Sequence, residues 1–335
     1  MNQTSKKQGI NLRPGSVLRG KWHNNQYTVL SELGKGAIGS VYLCQFNGKK
    51  VALKISDKGS SVTMEVNVLK TFQKVQGNRL GPSLLDVDDW IDPRGKQYSF
   101  YVMEYLRGKQ LSTFIKTNGE EWLGILMLQL LGDLESLHKE GWVFGDLKTE
   151  NLIVTYPAPR IRWIDVGGTT QIGRSIKEYT EFYDRGYWNL GSRKAEPSYD
   201  LFALAMIMIQ HYHPRRFERG SSPKKTLMHK LNTTPQLSKY QPIIKKALIG
   251  HYQSSAEMKK ELSSILMKQP NRQESYHGPK ANQPRTTPKQ NKGQTNTRVI
   301  KKQTKQSAGA GQPLLESFAI SIVVLLFYLF YLLLS

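Results

Sequence analysis

The chain has 335 residues, with 48 lysines and arginines against 26 aspartates and glutamates, and one cysteine. This length accommodates one large domain or two small ones. The single cysteine, Cys44, excludes an internal disulfide framework and a cysteine-built zinc site, and it suits a reducing compartment. The formal net charge of +22 predicts attraction to nucleic acid, anionic lipid or acidic proteins, and charge alone does not choose among them.

The N-terminal region, which has no signal-peptide pattern, combines strand patterns with a run of glycines. Residues 27–33 have strand composition, and two further strand patterns follow, joined by an Asn-Gly turn and ending near residue 55. Glycines between the first two strands let a hairpin backbone close over phosphates without side-chain clashes. In dinucleotide-binding folds a similar glycine motif joins a strand to a helix. Here the glycines lie between two strand patterns, so the order of elements differs from that of a dinucleotide-binding fold. The glycines are Gly34, Gly36 and Gly39.

Two helices are predicted further along the chain. Residues 61–72 have helical spacing and include Glu65. Residues 122–140 carry one apolar stripe at helical spacing, and Gly141 is placed to end that helix in a left-handed conformation. His138 falls at the polar end of this pattern, and we interpret it as an ordinary surface histidine.

A stretch of polar residues follows that helix at once. Residues 141–154 place Asp146, Lys148 and Asn151 on one tight turn ahead of an apolar run. Asp165-Val166-Gly167 comes fourteen residues after Asn151. Such a turn means little alone. With the second aspartate and the glycine run it predicts an enzyme of phosphoryl transfer.

Six spaced motifs resemble, in order, those of the bacterial Hanks-type serine/threonine protein kinases. The resemblance covers residues 20–265. It implies an α+β bilobal fold, with an antiparallel-sheet N-lobe and a helical C-lobe. The motifs include Gly34-Lys35-Gly36, Val51-Ala52-Leu53-Lys54, Phe144-Gly145-Asp146-Leu147-Lys148 and Asp165-Val166-Gly167.

The resemblance implies ATP and Mg²⁺ (or Mn²⁺) as cofactors and proteins as substrates. Asp146 and Lys148 would be catalytic, and Asn151 and Asp165 would bind the metal ion. Lys54 would pair with the α- and β-phosphates and be held by Glu65. Met103 would guard the back of the adenine pocket. The residues implied in ATP binding are Gly34, Gly36, Gly39, Val41, Lys54, Glu65, Glu104 and Tyr105.

The sequence departs from the family pattern at two places. Gly145 replaces the arginine that in relatives clamps a phosphorylated activation loop. The Ala-Pro-Glu ending is not recognisable, which leaves peptide specificity open. Thr180 has the spacing of the threonine that bonds the catalytic aspartate and lysine, and Asp200 matches the buried aspartate that supports the catalytic loop. The hydroxyls available for phosphorylation are those of Thr169, Thr170, Ser175, Tyr179, Thr180 and Tyr183.

Two basic stretches lie beyond residue 210. Residues 211–230 carry six lysines and arginines against Glu218, and this stretch is either a solvated helical surface or a docking patch for an acidic partner or nucleic acid. Residues 268–313 are poor in apolar side chains and should be disordered. Their cations could bind DNA or anionic lipid, or simply flank a membrane segment. The cations of the second stretch are Lys268, Arg272, Lys280, Arg285, Lys289, Lys292, Arg298, Lys301, Lys302 and Lys305.

The C-terminal segment is almost entirely apolar. Residues 318–334 contain no charged side chain, and about 20 apolar residues cross a bilayer as a helix. Because lysines and arginines flank this segment only on its N-terminal side, the rest of the chain should be cytoplasmic. The predicted organisation is an N-terminal extension (1–19), N-lobe (20–105), C-lobe (106–267), basic linker (268–313) and transmembrane helix (314–335).

A narrower resemblance, to sporulation-associated kinases within this family, rests on three runs together with the basic linker and terminal apolar segment. The runs are Phe-Gly-Asp-Leu-Lys, Ile-Asp-Val-Gly-Gly-Thr-Thr and Glu-Tyr-Thr-Glu-Phe-Tyr-Asp-Arg-Gly-Tyr-Trp. It implies a kinase at the septum or forespore membrane whose activity responds to DNA. The alternatives are a catalytically idle DNA or membrane tether and a small-molecule kinase, and the long segment between Asp165 and Asp200 argues against the latter.

Overall fold

The computed structural model describes residues 10–36, 39–74 and 80–267, so the predicted linker and the terminal apolar segment lie outside the description. Among the described residues, the N-terminal part contains a six-stranded antiparallel sheet in the order β1-β2-β3-β4-β6-β5. Its strands are β1 (Val17–Arg19), β2 (Gln26–Lys35), β3 (Ser40–Phe46), β4 (Lys49–Ser56), β5 (Leu84–Ile91) and β6 (Gln97–Glu104).

Side chains of β3 alternate between the two faces of this sheet. Tyr42 and Cys44 are fully buried, whereas Val41, which precedes Tyr42 in the strand, is only partly buried. This alternation is the two-residue period of a strand. On the buried face Tyr27 packs edge-on against Phe100, with ring centroids 5.7 Å apart. Burial raises the pKa of the Cys44 thiol to about 12. Cys44 is therefore the packing thiol that its apolar strand pattern predicts.

The sheet begins earlier than the sequence suggested. Strand β1 pairs Leu18 with Tyr27, although residues 1–19 were expected to be an extension. Ile10 and Leu12 pack against the same core, and the hydroxyl of Tyr42 donates to the Ile10 carbonyl at 2.6 Å. The described part of this segment is therefore built into the N-lobe.

One helix, α1 (Gly59–Lys74), packs against the sheet. It includes the predicted helix over residues 61–72. Val62, Val66 and Leu69 are all buried, and their spacing places them on one face of the helix. Glu65 is also buried, at 3% exposure. A carboxylate this deep requires a charged or hydrogen-bonding partner, and the partner lies on β4.

The C-lobe is mainly helical, with short strands around the polar turn. Strands β7, β9 and β10 form one sheet, and β8 pairs with β11. These elements are α2 (Leu111–Asn118), α3 (Glu121–Lys139), α4 (Pro197–Tyr212), α5 (Pro223–Asn232), α6 (Gln241–Leu248), α7 (Ser255–Met267), β7 (Gly108–Gln110), β8 (Trp142–Val143), β9 (Leu152–Thr155), β10 (Arg160–Trp163) and β11 (Thr170–Gln171). The predicted α+β class, with a sheet-rich N-terminal part and a helical C-terminal part, is confirmed.

Helix α4 forms the centre of the C-lobe. All thirteen residues from Tyr199 to His211 are buried, as expected for a helix that is apolar around its whole circumference. Helix α3 packs against it with the predicted stripe, and Gly141 ends α3 with φ +83°. This helix pair provides the rigid support on which the polar turn rests.

The last described helix, α7, is capped by the residue before it. The Glu257 N–H donates to the Ser254 hydroxyl at 3.3 Å. The Ser255 side chain turns toward α3. Among the described residues, no helix is long and apolar enough to cross a membrane. The predicted transmembrane helix over 314–335 is outside that range, so it remains a prediction.

Candidate active site

The polar turn between β8 and β9 brings three predicted site residues together. Lys148 forms an ion pair with Asp146, and the Asn151 amide nitrogen donates to the Asp146 carbonyl at 3.0 Å. Thr180 joins them from the following segment, because its hydroxyl donates to Asp146 Oδ1 at 2.9 Å and accepts from Lys148 at 3.2 Å. The predicted contact of Thr180 with Asp146 and Lys148 is therefore confirmed.

Asp200, at the start of α4, holds the backbone of this turn. Its carboxylate accepts the N–H of Phe144 at 2.7 Å and the N–H of Gly145 at 2.9 Å, and it is fully buried. These two backbone donors have no helix or strand to satisfy them, so an acceptor from another element is required. The prediction that Asp200 supports the turn is confirmed.

His138 is not a surface histidine, and that prediction was wrong. Its side chain is 7% exposed, and its Nε2 lies 3.0 Å from Asp200 Oδ2. Its Nδ1 lies 2.9 Å from the hydroxyl of Ser255. His138 therefore connects the end of α3 to both α4 and the first residue of α7. Helical spacing placed it beside the apolar stripe, but packing by α7 decided its burial.

Gly145 is required by a close approach of two backbone segments. It has φ +80°, and a Cβ atom there would lie 2.3 Å from the carbonyl oxygen of Gly168. Gly168 in turn allows its backbone to lie against Asp146, since a Cβ there would lie 2.7 Å from the Asp146 Cβ. No L side chain fits these positions without a backbone shift. The glycine in place of the family's arginine thus has a local steric cause.

The second aspartate lies at the other side of the site. Lys54 on β4 contacts Glu65 of α1 at 2.8 Å and Asp165 at 3.5 Å, so the predicted lysine–glutamate pair is present. Tyr101 on β6 donates its hydroxyl to Glu65 at 2.7 Å. Burial alone would lower the pKa of Lys54, but the charges of Asp165 and Glu65 outweigh it and raise that pKa. Lys54 is therefore charged at neutral pH.

The glycine-rich hairpin joins β2 to β3 beside this lysine. The Gly36 N–H donates to the Gly39 carbonyl at 2.8 Å, and Gly34 pairs with Val41. Gly39 runs close to β4, where a Cβ atom would lie 2.3 Å from the Ile55 carbonyl oxygen. Val41 pairs with Lys54 across the β3–β4 ladder. The predicted strand–glycine–strand hairpin is confirmed in the described residues.

The predicted adenine-binding segment follows β6. Met103 is 6% exposed, and Glu104 is the last residue of the strand. The Glu104 carboxylate contacts Arg162 at 3.1 Å, and its backbone N–H donates to the Ser83 carbonyl at 2.8 Å. Tyr105 is half-buried in the irregular segment that follows. Glu104 therefore also anchors this segment to β10, a contact that the sequence pattern did not indicate.

Two acidic side chains near the site were missed from the sequence. Glu178 is exposed, but its carboxyl group lies close to those of Glu65 and Asp165. Partial desolvation together with these charges raises the pKa of that carboxyl group. Glu150, between Lys148 and Asn151 on the turn, pairs with Arg216 at 2.7 Å. Neither belongs to a pattern that spacing reveals, since Glu178 is brought in by an irregular segment and Arg216 lies 66 residues away.

The donor set fits a divalent metal ion with nucleotide phosphates. Asp165 has a carboxylate with 48% exposure, and the hydrogen bond from the Asn151 nitrogen leaves its amide oxygen as a ligand. Oxygen ligands of this kind suit Mg²⁺, which retains waters and binds through one or two carboxylates plus phosphates. Lys54 beside Asp165 adds the cation that a triphosphate needs. The ten predicted polyanion-binding residues of 268–313 lie outside the described residues.

Comparison with known proteins agrees with this geometry. The family described as protein kinase domain matches residues 27–280. The serine/threonine-protein kinase YabT of Bacillus subtilis (strain 168) is 47% identical over 335 residues, covering 99% of this chain and 98% of YabT. The sporulation protein kinase mde3 of Schizosaccharomyces pombe (strain 972) is 27% identical, over 72% of this chain and 46% of its own length.

A solved structure shares the fold. The kinase domain of Mycobacterium tuberculosis PknI, a double mutant, is covered completely and matches 77% of this chain with a TM-score of 0.51 and 18% identity. The family match spans well over half of the chain, and the relative from Bacillus subtilis matches along nearly its whole length. The chain therefore belongs to the protein kinase family and is a serine/threonine-protein kinase.

Proposed function

We propose that this chain is a membrane-anchored protein kinase that transfers the γ-phosphoryl group of Mg²⁺-ATP to protein serine and threonine hydroxyls and is stimulated by DNA. The observation that carries the catalytic part is the joint placement of Asp146, Lys148, Thr180, Lys54 and Asp165 around one cleft. The anchor, the DNA response and a role in sporulation or DNA-damage-related signalling rest on the sequence outside the described residues and on the narrower resemblance.

Each polar group of the cleft has a proposed task. When bound, Mg²⁺-ATP supplies the phosphoryl group, and the metal charge neutralises phosphate oxygens. Lys54 holds the α- and β-phosphates, and Glu65 fixes its direction through the 2.8 Å contact. Asp165 and Asn151 would hold the metal ion, and the glycine-rich hairpin at Gly34, Gly36 and Gly39 would lie beside the phosphates. Positioning and charge neutralisation are what phosphoryl transfer demands of a protein.

The proton of the substrate hydroxyl is assigned to Asp146. Its Oδ1 accepts from Thr180 and its carboxylate pairs with Lys148, and these two contacts orient the side chain. Lys148 is placed to offset the negative charge of the transferred group. General-base catalysis of this type contributes about 10²- to 10⁴-fold in rate. Hydrogen bonds to the Asp200 carboxylate hold the turn in place while the proton moves.

The catalytic proposal is tested with labelled ATP and the full chain in mild detergent. Lys54→Ala and Asp146→Ala should each abolish autophosphorylation in the presence of Mg²⁺. A chain that labels itself equally well after either change would overturn these assignments. A wild-type chain that turns over no ATP, with or without DNA, would favour an idle tether that retains the kinase fold.

DNA is proposed as the partner of the basic linker because residues 268–313 carry ten cations and one acidic residue. Each phosphate neutralised lowers the log of affinity by about 0.9 per log unit of salt. Double-stranded DNA should therefore stimulate autophosphorylation steeply at low salt and little at high salt. Deletion of 268–313 should remove the stimulation and keep the basal rate; stimulation that persists would move the DNA site to another surface.

Membrane attachment is tested separately. Residues 314–335 are proposed as a single C-terminal span in the cytoplasmic membrane, with the kinase domain in the cytoplasm, at the septum or forespore. The full chain should sediment with membranes after carbonate washing, and a chain that ends at residue 313 should stay in the supernatant. Recovery of both in the supernatant would contradict the anchor.

A further inference from the structure

A layer of cations and aromatic rings lies on the C-lobe beside the catalytic turn, and we call it the arginine–aromatic surface. Arg216 lies 5.6 Å from the Tyr183 ring, and Arg219 lies 4.9 Å from the Tyr187 ring. Stacking of this kind attracts a cation to a ring and restricts its side chain. Its exposed and half-buried members are Arg193, Arg215, Arg216, Arg219, Tyr187 and Phe217, and the rings of Phe182 and Tyr183 that they adjoin are buried.

The surface is continuous with the residues that contact Asp146. Thr180, which donates to Asp146, is followed at once by the short turn Glu181–Tyr183, whose two aromatic side chains are buried. Phe182 of that turn packs on Phe217 with ring centroids 5.1 Å apart. A substrate whose hydroxyl reaches Asp146 would therefore pass this surface with its neighbouring residues.

Arg216 changes the charge that such a substrate meets. Glu150 is exposed on the catalytic turn, one residue before Asn151, and alone it would attract a basic substrate residue. The Arg216 guanidinium holds Glu150 at 2.7 Å. A guanidinium has five N–H donors, so one carboxylate leaves donors for a second. The carboxylate of Glu150 is thus paired with a cation and is not free to attract a basic substrate residue.

Other carboxylates of the region are also engaged. Asp184 is buried against Arg193 at 2.7 Å, and Glu196 pairs with Arg185 at 2.7 Å. Among the described residues, Arg215, Lys224 and Lys225 have no carboxylate partner. The exposed acidic residues left unpaired within the described stretch 171–230 are Glu178, Glu181 and Glu218. Arg219, which donates to a backbone carbonyl, and Lys230, which lies over the Phe217 ring, add to the three unpaired cations, so the balance at the surface is positive.

From this arrangement we infer that the kinase selects serine and threonine hydroxyls flanked by aspartate or glutamate, and that Arg216 is a specificity-determining residue that reads those carboxylates. The inference rests on the proposed role of Asp146, since it depends on where the hydroxyl is held. It identifies residues 211–230 as a docking patch for acidic protein segments.

Acidic peptide is favoured over nucleic acid by the contacts themselves. The partner that Arg216 already binds is a carboxylate, which shows that its position suits this group. Planar guanidinium groups match carboxylates in a fork-like geometry. The surface also adjoins the point where the acceptor hydroxyl must lie, whereas a DNA activator has no need to approach Asp146.

The test uses the full chain in mild detergent and three matched serine peptides with acidic, neutral or basic flanks. The wild type should phosphorylate the acidic peptide with a kcat/KM about tenfold above the neutral one, the size expected when a few partly exposed charge pairs act together. Arg216→Ala should reduce this ratio to about two, and Arg216→Lys should restore part of it because the charge returns without the fork.

Charge reversal gives the sharper result. Arg216→Glu removes the cation and leaves Glu150 uncovered, so the basic peptide should become the preferred substrate. Arg94→Ala, in the exposed turn between β5 and β6, removes the same charge from the N-lobe and should change no ratio. Urea unfolding of the Arg216 variants checks their stability. A loss of folded protein would lower the rate on all three peptides by the same factor and would leave the ratio between them unchanged.

Several outcomes would overturn the inference. A wild type that phosphorylates all three peptides equally, or prefers the basic one, is a kinase without this specificity. Loss of DNA stimulation in Arg216→Ala with an unchanged peptide ratio would assign the surface to nucleic acid. Failure to phosphorylate any of the peptides, with intact autophosphorylation, would show that the surface does not admit such segments, and loss of autophosphorylation as well would contradict the proposed function itself.

Discussion

Two aspartates of this kinase lie in opposite environments, although they serve the same turn. Asp146 is partly exposed, with 15% of its side chain accessible, whereas Asp200 is fully buried. Asp146 is held by side chains from the turn and from Thr180. Asp200 accepts from two backbone N–H groups and contacts His138. The difference separates a group that is proposed to react from a group that holds the backbone.

The energetic consequences differ accordingly. A partly exposed carboxylate can be changed to an amide at little cost, because water replaces its partners. A buried carboxylate with several donors cannot, because each donor left without a partner costs its desolvation free energy. Conservative replacements at the two aspartates should therefore separate loss of rate from loss of stability.

The largest expected effect is that of Asp146→Asn. The amide cannot accept the hydroxyl proton, so kcat should fall about 10³-fold, within the range for removal of a general base. The free energy of unfolding should change by less than about 1 kcal/mol, as for partly exposed replacements. Initial rates of peptide phosphorylation and urea unfolding followed by tryptophan fluorescence measure the two quantities. A rate within tenfold of the wild type would contradict the assignment.

Asp200→Asn should show the opposite balance. The amide nitrogen would face one of the two backbone N–H groups of Phe144 and Gly145, and a buried donor without an acceptor costs about 1–3 kcal/mol. The free energy of unfolding should fall by that amount, and the rate should fall less than in Asp146→Asn. The same two measurements apply. A variant as stable as the wild type but without activity would mean that Asp200 acts in catalysis rather than in support.

Sequence patterns indicated the candidate reacting groups more completely than the groups that support them. Lys54, Glu65, Asp146, Asn151 and Asp165 belong to motifs with fixed spacing, and the structure brings Lys54 to Glu65 and Asp165, and Asn151 to Asp146. The sequence also indicated the buried Asp200.

The contacts that patterns could not give come from distant elements. His138 lies beside an apolar stripe, and only the packing of α7 buries it and places Ser255 against it at 2.9 Å. The pairing of Glu150 with Arg216 joins residues 66 positions apart, with no periodic signal at either end. Gly145 could be seen as unusual, but its close approach to Gly168 depends on a tertiary contact.

Gly145→Ala should have the next largest effect. The added Cβ would lie 2.3 Å from the Gly168 carbonyl oxygen at φ +80°, so the backbone must move. The positive φ alone costs about 1–2 kcal/mol, and displacement of Asp146 by part of an ångström should lower the rate about tenfold or more. Urea unfolding and initial rates measure both losses.

Gly141→Ala is the matched control for that change. Gly141 has φ +83°, and nothing lies within 4 Å of a Cβ atom built there. It should lose the same conformational free energy as Gly145→Ala but keep its rate. If both variants lose equal stability and equal rate, the close approach to Gly168 contributes nothing beyond backbone strain.

The smallest effect on kcat is expected at the supporting contact on the Lys54 side. Burial and the charge of Glu65 raise the pKa of Tyr101, so its hydroxyl stays protonated and donates to Glu65 at 2.7 Å. Tyr101→Phe removes this bond to a charged group, which should cost about 1.5–3 kcal/mol of stability at most. Because Lys54 still pairs with Glu65, the KM for ATP should rise only severalfold and kcat should change little.

Tyr240→Phe provides the control for this last comparison. The Tyr240 hydroxyl is buried and has no hydrogen-bond partner among the described residues, so its removal should leave stability unchanged or raise it. Urea unfolding of both variants, with KM for ATP measured alongside, isolates the value of the bond to Glu65. Equal stability and equal KM in the two variants would mean that Lys54 alone fixes Glu65. The Lys54 side of the site would then depend less on a buried supporting hydrogen bond than the Asp146 turn depends on Asp200.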